Sequence, residues 1–279
     1  VIVGQTIYGY SGKDGILRIP STVTTIAPGA FWDNKDLVEV EIPGSIEVIP
    51  TRAFMGCSNL KKVILNDGLR EICWLAFDNC KSIEGIIIPE SVTNIGNSVF
   101  QNCENLRCVK LPSTINSISE SMFSWCKALE NIELPHSVKN IMRHAFAGTS
   151  IRELDLTNVA FIDMDAFSMS KIERVVLEEN FQTPHSHMLN RCFALKYLYI
   201  TDAVTEVAGW GPEFAEQTAI PFIHVSSKLI KGLDDENKLN ALATFVQTQD
   251  DYSEEGRKSW LTYIKRYKVN LLKLCIDGR

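Results

Sequence analysis

Residues 89–111 read PESVTNIGNSVFQNCENLRCVKL, from Pro89 to Leu111, and the same spelling returns on both sides at a fixed distance. Ile19-Pro20, Ile42-Pro43, Leu65-Asn66, Ile88-Pro89, Leu111-Pro112 and Leu134-Pro135 recur every 23 residues. Between these marks each unit carries an apolar pair, as in Val23 and Ile26, Ile46 and Ile49, Val92 and Ile95, or Ile115 and Ile118. An Ala-Phe step or a relative of it follows, and then Leu-x-x-Val-x-Leu. Ala30-Phe31, Ala53-Phe54, Ala76-Phe77, Val99-Phe100, Met122-Phe123, Ala145-Phe146 and Ala166-Phe167 mark one inward corner in successive turns. A period of this length means stacked units that share a core.

Six consecutive units match in register, and the pattern then shortens. The unit from Pro135 loses one residue after Phe146, and the next, from Thr157, loses one at each end. The frame recovers at Glu178, where Met188, Leu189, Cys192, Leu195, Leu198 and Ile200 fall on the expected offsets. A ninth, irregular unit runs from Thr201 to Val225 with an insertion around Trp210 to Ala219. Ordering one unit costs more backbone entropy than its few apolar side chains recover, so the balance must come from ladder hydrogen bonds and from neighbours. The expected fold is α/β and β-rich: a right-handed solenoid with the Leu-x-x-Val-x-Leu segments as a parallel sheet on one face. The Val-x-x-Ile pairs run back along the other side, and the Ala-Phe corner is expected to form a short helical turn. Pro20, Pro43, Pro89, Pro112 and Pro135 follow the strands, where a missing N–H is tolerated. The expected organisation is a cap over 1–19, eight repeats over 20–200, an irregular last repeat over 201–231 and a helical pair over 232–279.

With 45% hydrophobic and 22% charged residues in 279, the chain has the balance of a folded soluble protein with a large core. A net charge of -6 argues against nucleic acid, whose backbone is held by clustered Lys and Arg. No stretch approaches the roughly 18 apolar residues of a transmembrane segment. The run Val1 to Val3 is far too short for a signal-peptide core, and a leader removed before Val1 is compatible with this start.

The units resemble those of the BspA-type leucine-rich-repeat proteins, which read Ile-Pro-x-Ser-Val-Thr-x-Ile-Gly-x-x-Ala-Phe-x-x-Cys-x-x-Leu-x-x-Val-x-Leu. Pro89 to Leu111 fits that consensus almost without exception, and Tyr8 to Pro20 (YGYSGKDGILRIP) looks like the family's N-terminal cap. The likeness covers roughly residues 1 to 231. It implies a leucine-rich-repeat solenoid and, as an expectation, a secreted or surface-displayed binding protein of the kind that includes adhesins.

Cys57, Cys80, Cys103 and Cys126 share one offset, and Cys192 returns to it. They are read as free, buried thiols acting as small apolar residues, ahead of a disulfide network and of zinc, which a straight row of ligands cannot surround tetrahedrally. Cys73, Cys108 and Cys275 lie off this ladder, with Cys108 on the sheet face. His185 and His187 form a pair on the most divergent unit and are read as a surface loop, with metal or acid-base work as the alternative. No Gly-x-Ser-x-Gly elbow or phosphate-cradling glycine loop is present, so the expectation is no catalytic residue, no cofactor and no metal site.

The outward positions of the strands are free of packing duty and form two rows. Tyr197, Tyr199, Phe222 and His224 would gather on neighbouring rungs, either as interface anchors or as cross-strand pairs covered by the helical tail. Glu133, Glu153 and Asp155, beside Asn131, would form an acid cluster at mid-array. A solvated face is the plainer reading of it, and calcium or a basic partner the sharper one. Ile64 and Ile87, flanking Gly85, make a small apolar spot.

After Val225 the apolar period turns helical. Asp234 and Asp235 can cap a helix carrying Leu239, Leu242, Ala243 and Val246 on one face, and Ser253 a second carrying Trp260, Ile264, Tyr267, Leu271 and Cys275. A lid on the last rung is the first expectation, because solenoid ends need covering. Arg257, Lys258, Lys265, Arg266, Lys268 and Lys273 make the second helix locally basic, read as a solvated face. The ending at Gly278-Arg279 is compatible with one module of a longer protein. The leading functional expectation is a non-catalytic recognition scaffold engaging a protein or glycan through the open sheet face, secreted or at the cell surface. The alternative is a structural spacer or intracellular scaffold carrying other domains.

Overall fold

A computed structural model describes residues 1–178, 181, 186–201, 204, 220–230, 233 and 235–277; Pro184, His185, the insertion from Trp210 to Ala219 and Asp234 lie outside these, as do the side chains of 268–277. The chain winds as a solenoid. Its face strands are β3 (Ile16–Arg18), β5 (Glu39–Ile42), β7 (Lys62–Leu65), β9 (Gly85–Ile87), β11 (Cys108–Lys110), β15 (Arg174–Leu177), β16 (Tyr197–Ile200) and β17 (Phe222–His224). The opposite side carries β1 (Ile2–Val3) and β2 (Thr6–Ile7), an antiparallel cap. It continues through the two-residue strands β4 (Thr25–Ile26), β6 (Val48–Ile49), β8 (Glu71–Ile72), β10 (Asn94–Ile95), β12 (Ser117–Ile118), β13 (Asn140–Ile141) and β14 (Phe161–Ile162). Two helices follow, α1 (Asp235–Gln247) and α2 (Glu254–Asp277).

Pairing is parallel and advances one repeat per strand, as in Val40 opposite Val63 and Val109 opposite Ile86. The core is a set of columns. Phe31, Phe54, Phe77, Phe100, Phe123, Phe146 and Phe167 are fully buried and stack with centroids 4.7–5.9 Å apart. Beside them each ladder thiol donates to the Phe carbonyl of the preceding turn: Cys57 to Phe31, Cys80 to Phe54, Cys103 to Phe77, Cys126 to Phe100 and Cys192 to Phe167, at 3.0–3.2 Å. The cysteine offset thus supplies a donor that an alanine would lack. Burial pushes four of these thiols up, Cys192 to about 12 and Cys80, Cys103 and Cys126 well above the ordinary range, whereas the hydrogen bond with Cys80 brings Cys57 down.

The corner is not the helical turn the sequence suggests. Residues two before and two after each Phe take positive φ, among them Asp33, Arg52, Leu75, Asn79, Ser98, Asn102, Ser121 and Trp125, at 55–63°. This aims alternate amides along the solenoid axis: Gly29, Phe31 and Asp33 donate to Thr51, Ala53 and Met55 of the next turn, and later turns repeat the scheme. Intervening amides close local turns, as Ala53 to Pro50 and Met55 to Arg52. The backbone therefore pairs between turns at the corner instead of closing helical bonds within one.

A second departure lies at mid-array. Asn131–Leu134 and Glu153–Leu156 carry the strand pattern but form no strand, so the face consists of a five-stranded sheet, β3 to β11, and a three-stranded one, β15 to β17. The repeat register would set Glu133 opposite Asp155 and Asn131 opposite Glu153, and like charges directly opposite weaken pairing. Val109, Leu134 and Leu154 are correspondingly only half-buried there.

Candidate functional site

The interruption opens beside a depression of about 1120 Å³ on the sheet face. Its floor is Ile64, Ile87 and Gly85, its far wall Asn131 to His136, and Arg107, Cys108 and Lys110 stand between. Ile87 is 67% exposed, a large β-branched side chain left in water. Strand alternation explains the placement: Ile86 turns into the core and Ile87 turns out. Lys62 is held by Glu39 at 3.3 Å, whereas Arg107, Lys110 and Glu133 enter no ion pair among the described residues. Glu90 on the rim accepts from the Ser113 amide and hydroxyl, both at 2.8 Å, and these bonds hold its carboxyl below the usual range. The Cys108 thiol is exposed on the same face. Arg107 belongs to no sequence-level row, because it precedes the alternating positions.

The acid cluster is less concerted than its spacing suggests. Glu133, Glu153 and Asp155 are all exposed, and Asp155 is occupied locally, accepting from the Thr157 hydroxyl and amide at 2.6 and 2.9 Å. The Thr157 bonds hold the Asp155 carboxyl below its ordinary range. Among the described residues no group of three or more His, Cys, Asp and Glu side chains is placed to hold a metal ion. His187 sits in a 3-10 turn, Ser186–Leu189, that takes the corner position of its rung, and its partner His185 lies outside the described residues.

The aromatic residues near the C-terminal end do come together. Tyr197 stacks on Phe222 at 4.2 Å, with the Arg174 guanidinium 3.9 Å over the other face of the tyrosine ring system. Tyr199 stacks on His224 at 4.1 Å, and His224 on Tyr252 at 3.8 Å. Tyr197, Tyr199 and Phe222 remain half-buried at the face, but His224 is 1% exposed, so of the two readings cover by the helical tail holds for the histidine and it is no open interface anchor. The tail closes it off. The Asn237 Oδ1 accepts from the Ile220 amide at 2.8 Å, the Thr244 hydroxyl accepts from the Ile223 amide at 3.2 Å, and Asn240 donates to the Ile220 carbonyl at 3.0 Å. Trp260, fully buried, donates to the Val225 carbonyl at 3.0 Å.

This contact corrects the expected face of α1. Its buried residues are Asn237, Ala241, Thr244 and Phe245, whereas Ala243 and Val246 are exposed and Leu239 and Leu242 half-buried. An end rung has amides and carbonyls with no further strand, and polar side chains satisfy them better than an apolar stripe can. On α2 the Ser253 cap is as expected, its hydroxyl accepting from the Gly256 amide at 3.0 Å. Arg257 and Lys258 pair with Asp250 and Glu254. No helix among the described residues is long and apolar enough to cross a membrane.

Turns, columns and cap having this form, a family comparison is decisive. The profile described as BspA type Leucine rich repeat region matches in six copies, over residues 15–107 and 100–210. The chain belongs to this BspA-type leucine-rich-repeat family. Among solved structures it is similar to a T. pallidum leucine-rich-repeat protein, TpLRR, at 30% identity over 67% of this chain and 83% of that one, with a TM-score of 0.51. It is also similar to a leucine-rich-repeat protein from Bacteroides ovatus ATCC 8483, at 20% identity, 75% and 68% coverage and a TM-score of 0.54, a likeness of fold. A search of curated proteins found no match. In BspA-type terms, the depression and the aromatic end are two parts of one repeat face, separated by the strandless segment Glu153–Leu156.

Proposed function

We propose that this BspA-type chain is a non-catalytic recognition module, secreted or displayed at the cell surface, that binds a protein partner through the exposed face of its repeat sheet. The observation that carries the reading is the depression itself: Ile87 held in water on the sheet, beside Arg107, Lys110 and Glu133, which enter no ion pair among the described residues. An apolar centre with unpaired charges at its rim has the composition of an interface core and rim. The edges of Tyr197, Tyr199 and Phe222 extend the contact at one end and Glu133, Glu153 and Asp155 through its middle. Ladder thiols buried beneath the sheet are shielded from oxidants, which suits an extracellular setting.

The test uses immobilised protein presented to a cell-surface extract, each captured partner then being purified and titrated. Ile87→Glu is expected to abolish the complex and Lys110→Glu to weaken it by about tenfold, a change of about 1.4 kcal/mol. Triple alanine substitution at Tyr197, Tyr199 and Phe222 asks whether the aromatic end takes part. Capture unaffected by Ile87→Glu and by the triple substitution, in variants that melt as the parent does, refutes the assignment of the face.

A further inference from the structure

The side of the solenoid away from the sheet also carries large side chains that the fold does not use. Trp32 follows Phe31 by one residue, Trp74 precedes Phe77 by three and Trp125 follows Phe123 by two, so all three project from the corner ridge. They are 62%, 46% and 39% exposed, whereas Trp260 is fully buried. Successive tryptophans stand two turns apart, and each turn advances the Phe column by 4.7–5.9 Å. The intervening turns carry Arg52, Met55, Asn97 and Gln101 at the same corner. A Cβ on Gly148 would lie 2.6–3.1 Å from three atoms of the Trp125 six-membered ring, so the indole packs closely against that glycine. Trp74 is steadied by the Arg52 guanidinium 4.8 Å from its ring.

The ridge between the indoles is polar, with the exposed charges of Arg52 and Glu120 standing on it. Asn79 and Asn102 share one column with Asp33 and Trp125, all at positive φ. Among the described residues the Asn79 amide makes no side-chain hydrogen bond, and Asn102 donates to Asp78 at 3.1 Å. Asp33 is paired with Lys35. Exposed indoles recurring every second turn, at three different offsets from the Phe column and with amides between them, fit a ligand that is itself periodic, presents apolar C–H faces and carries hydroxyls. A linear polysaccharide has all three properties, and the two-turn interval is comparable to the length of a disaccharide repeat. A net charge of -6 disfavours anionic bilayers and nucleic acid on this ridge.

We infer that the corner ridge bearing Trp32, Trp74 and Trp125 is a binding site for a neutral linear polysaccharide, separate from the sheet face and independent of what that face binds. The test is affinity electrophoresis in native gels containing hydroxyethyl-cellulose, soluble β-1,3-glucan, xylan or galactomannan. At least one polymer should retard the parent, each single Trp→Ala substitution should weaken retardation about tenfold, and the triple variant should migrate freely. Trp125→Tyr, which keeps a ring over Gly148, should retain most of the binding, and Ile87→Glu all of it. Three outcomes overturn the proposal: no polymer of the four retards the parent, the triple variant is still retarded, or the protein sediments with phosphatidylcholine vesicles while no polymer binds.

Discussion

The five-stranded half of the array and its C-terminal end solve one problem in different ways. From β3 to β11 every turn meets a copy of itself, so backbone amides, Phe rings and thiols all find partners by repetition. At β17 no further copy is at hand, and the partners are side chains: Asn237, Asn240, Thr244 and Trp260. The repeated half is held by columns that any one turn only samples. The end is held by a few residues that each act alone.

Substitution separates the two regimes. Phe77→Ala removes a fully buried ring stacked on both sides, at 5.1 and 5.7 Å, and should cost about 3–5 kcal/mol, read as the urea midpoint. Hydrogen exchange should quicken in the turns on both sides of it. Asn237→Ala leaves the Ile220 amide without its acceptor and should cost about 1–3 kcal/mol. Its exchange effect should stop at β17 and α1. If Asn237→Ala instead loosens turns around Phe77 equally, the end is not a local device and the contrast fails.

The repeated half is legible in the sequence because each feature is stated several times: Phe77 is one of seven, Cys80 one of five. A residue stated once is harder to read. Thr244 and Asn237 look like the polar face of an amphipathic helix, and only the unsatisfied amides of the last rung reveal that this face turns inward. His224 sits on an outward strand position and is buried by that same helix, a fact of tertiary packing that strand alternation does not encode. The Ala-Phe spacing suggests a helical corner, yet its φ values follow from bonding to the next turn. Ile87 and Glu133 of the candidate site follow from alternation, whereas Arg107 and the three exposed tryptophans lie off the template positions.

A smaller effect is expected where the two sheets part. Glu133→Gln removes the charge facing Asp155 and should favour pairing between Asn131–Leu134 and its neighbours. The gain is about 0.5 kcal/mol, within the range of single cross-strand pairs. Slower amide exchange over 131–134 checks it, and unchanged exchange would mean that charge does not keep the strands apart.

The smallest effect should be common to both halves. Glu104 is clamped between Lys81 and Lys127, both at 3.0 Å, and Glu173 between Lys196 and Arg152, at 2.7 and 3.0 Å. Each acid joins cations from the turn before and the turn after, and these lysines, first Lys81 and first Lys196, hold the two carboxyls below the usual range. A depressed folded value means that the unfolded chain binds the proton more readily, so the clamps stabilise the fold above an unfolded value of about 4.3. That contribution is lost as pH falls through the lower folded values. Both carboxylates are solvent-facing, so the effect is small and screened by salt. Urea midpoints of the parent and of Glu104→Gln and Glu173→Gln should differ slightly at pH 7 and converge near pH 3. Because one clamp lies in the repeated half and the other beside β15 and β16, the two variants should behave alike. A pH response in only one of them would show that the ends differ in electrostatics as well as in hydrogen bonding.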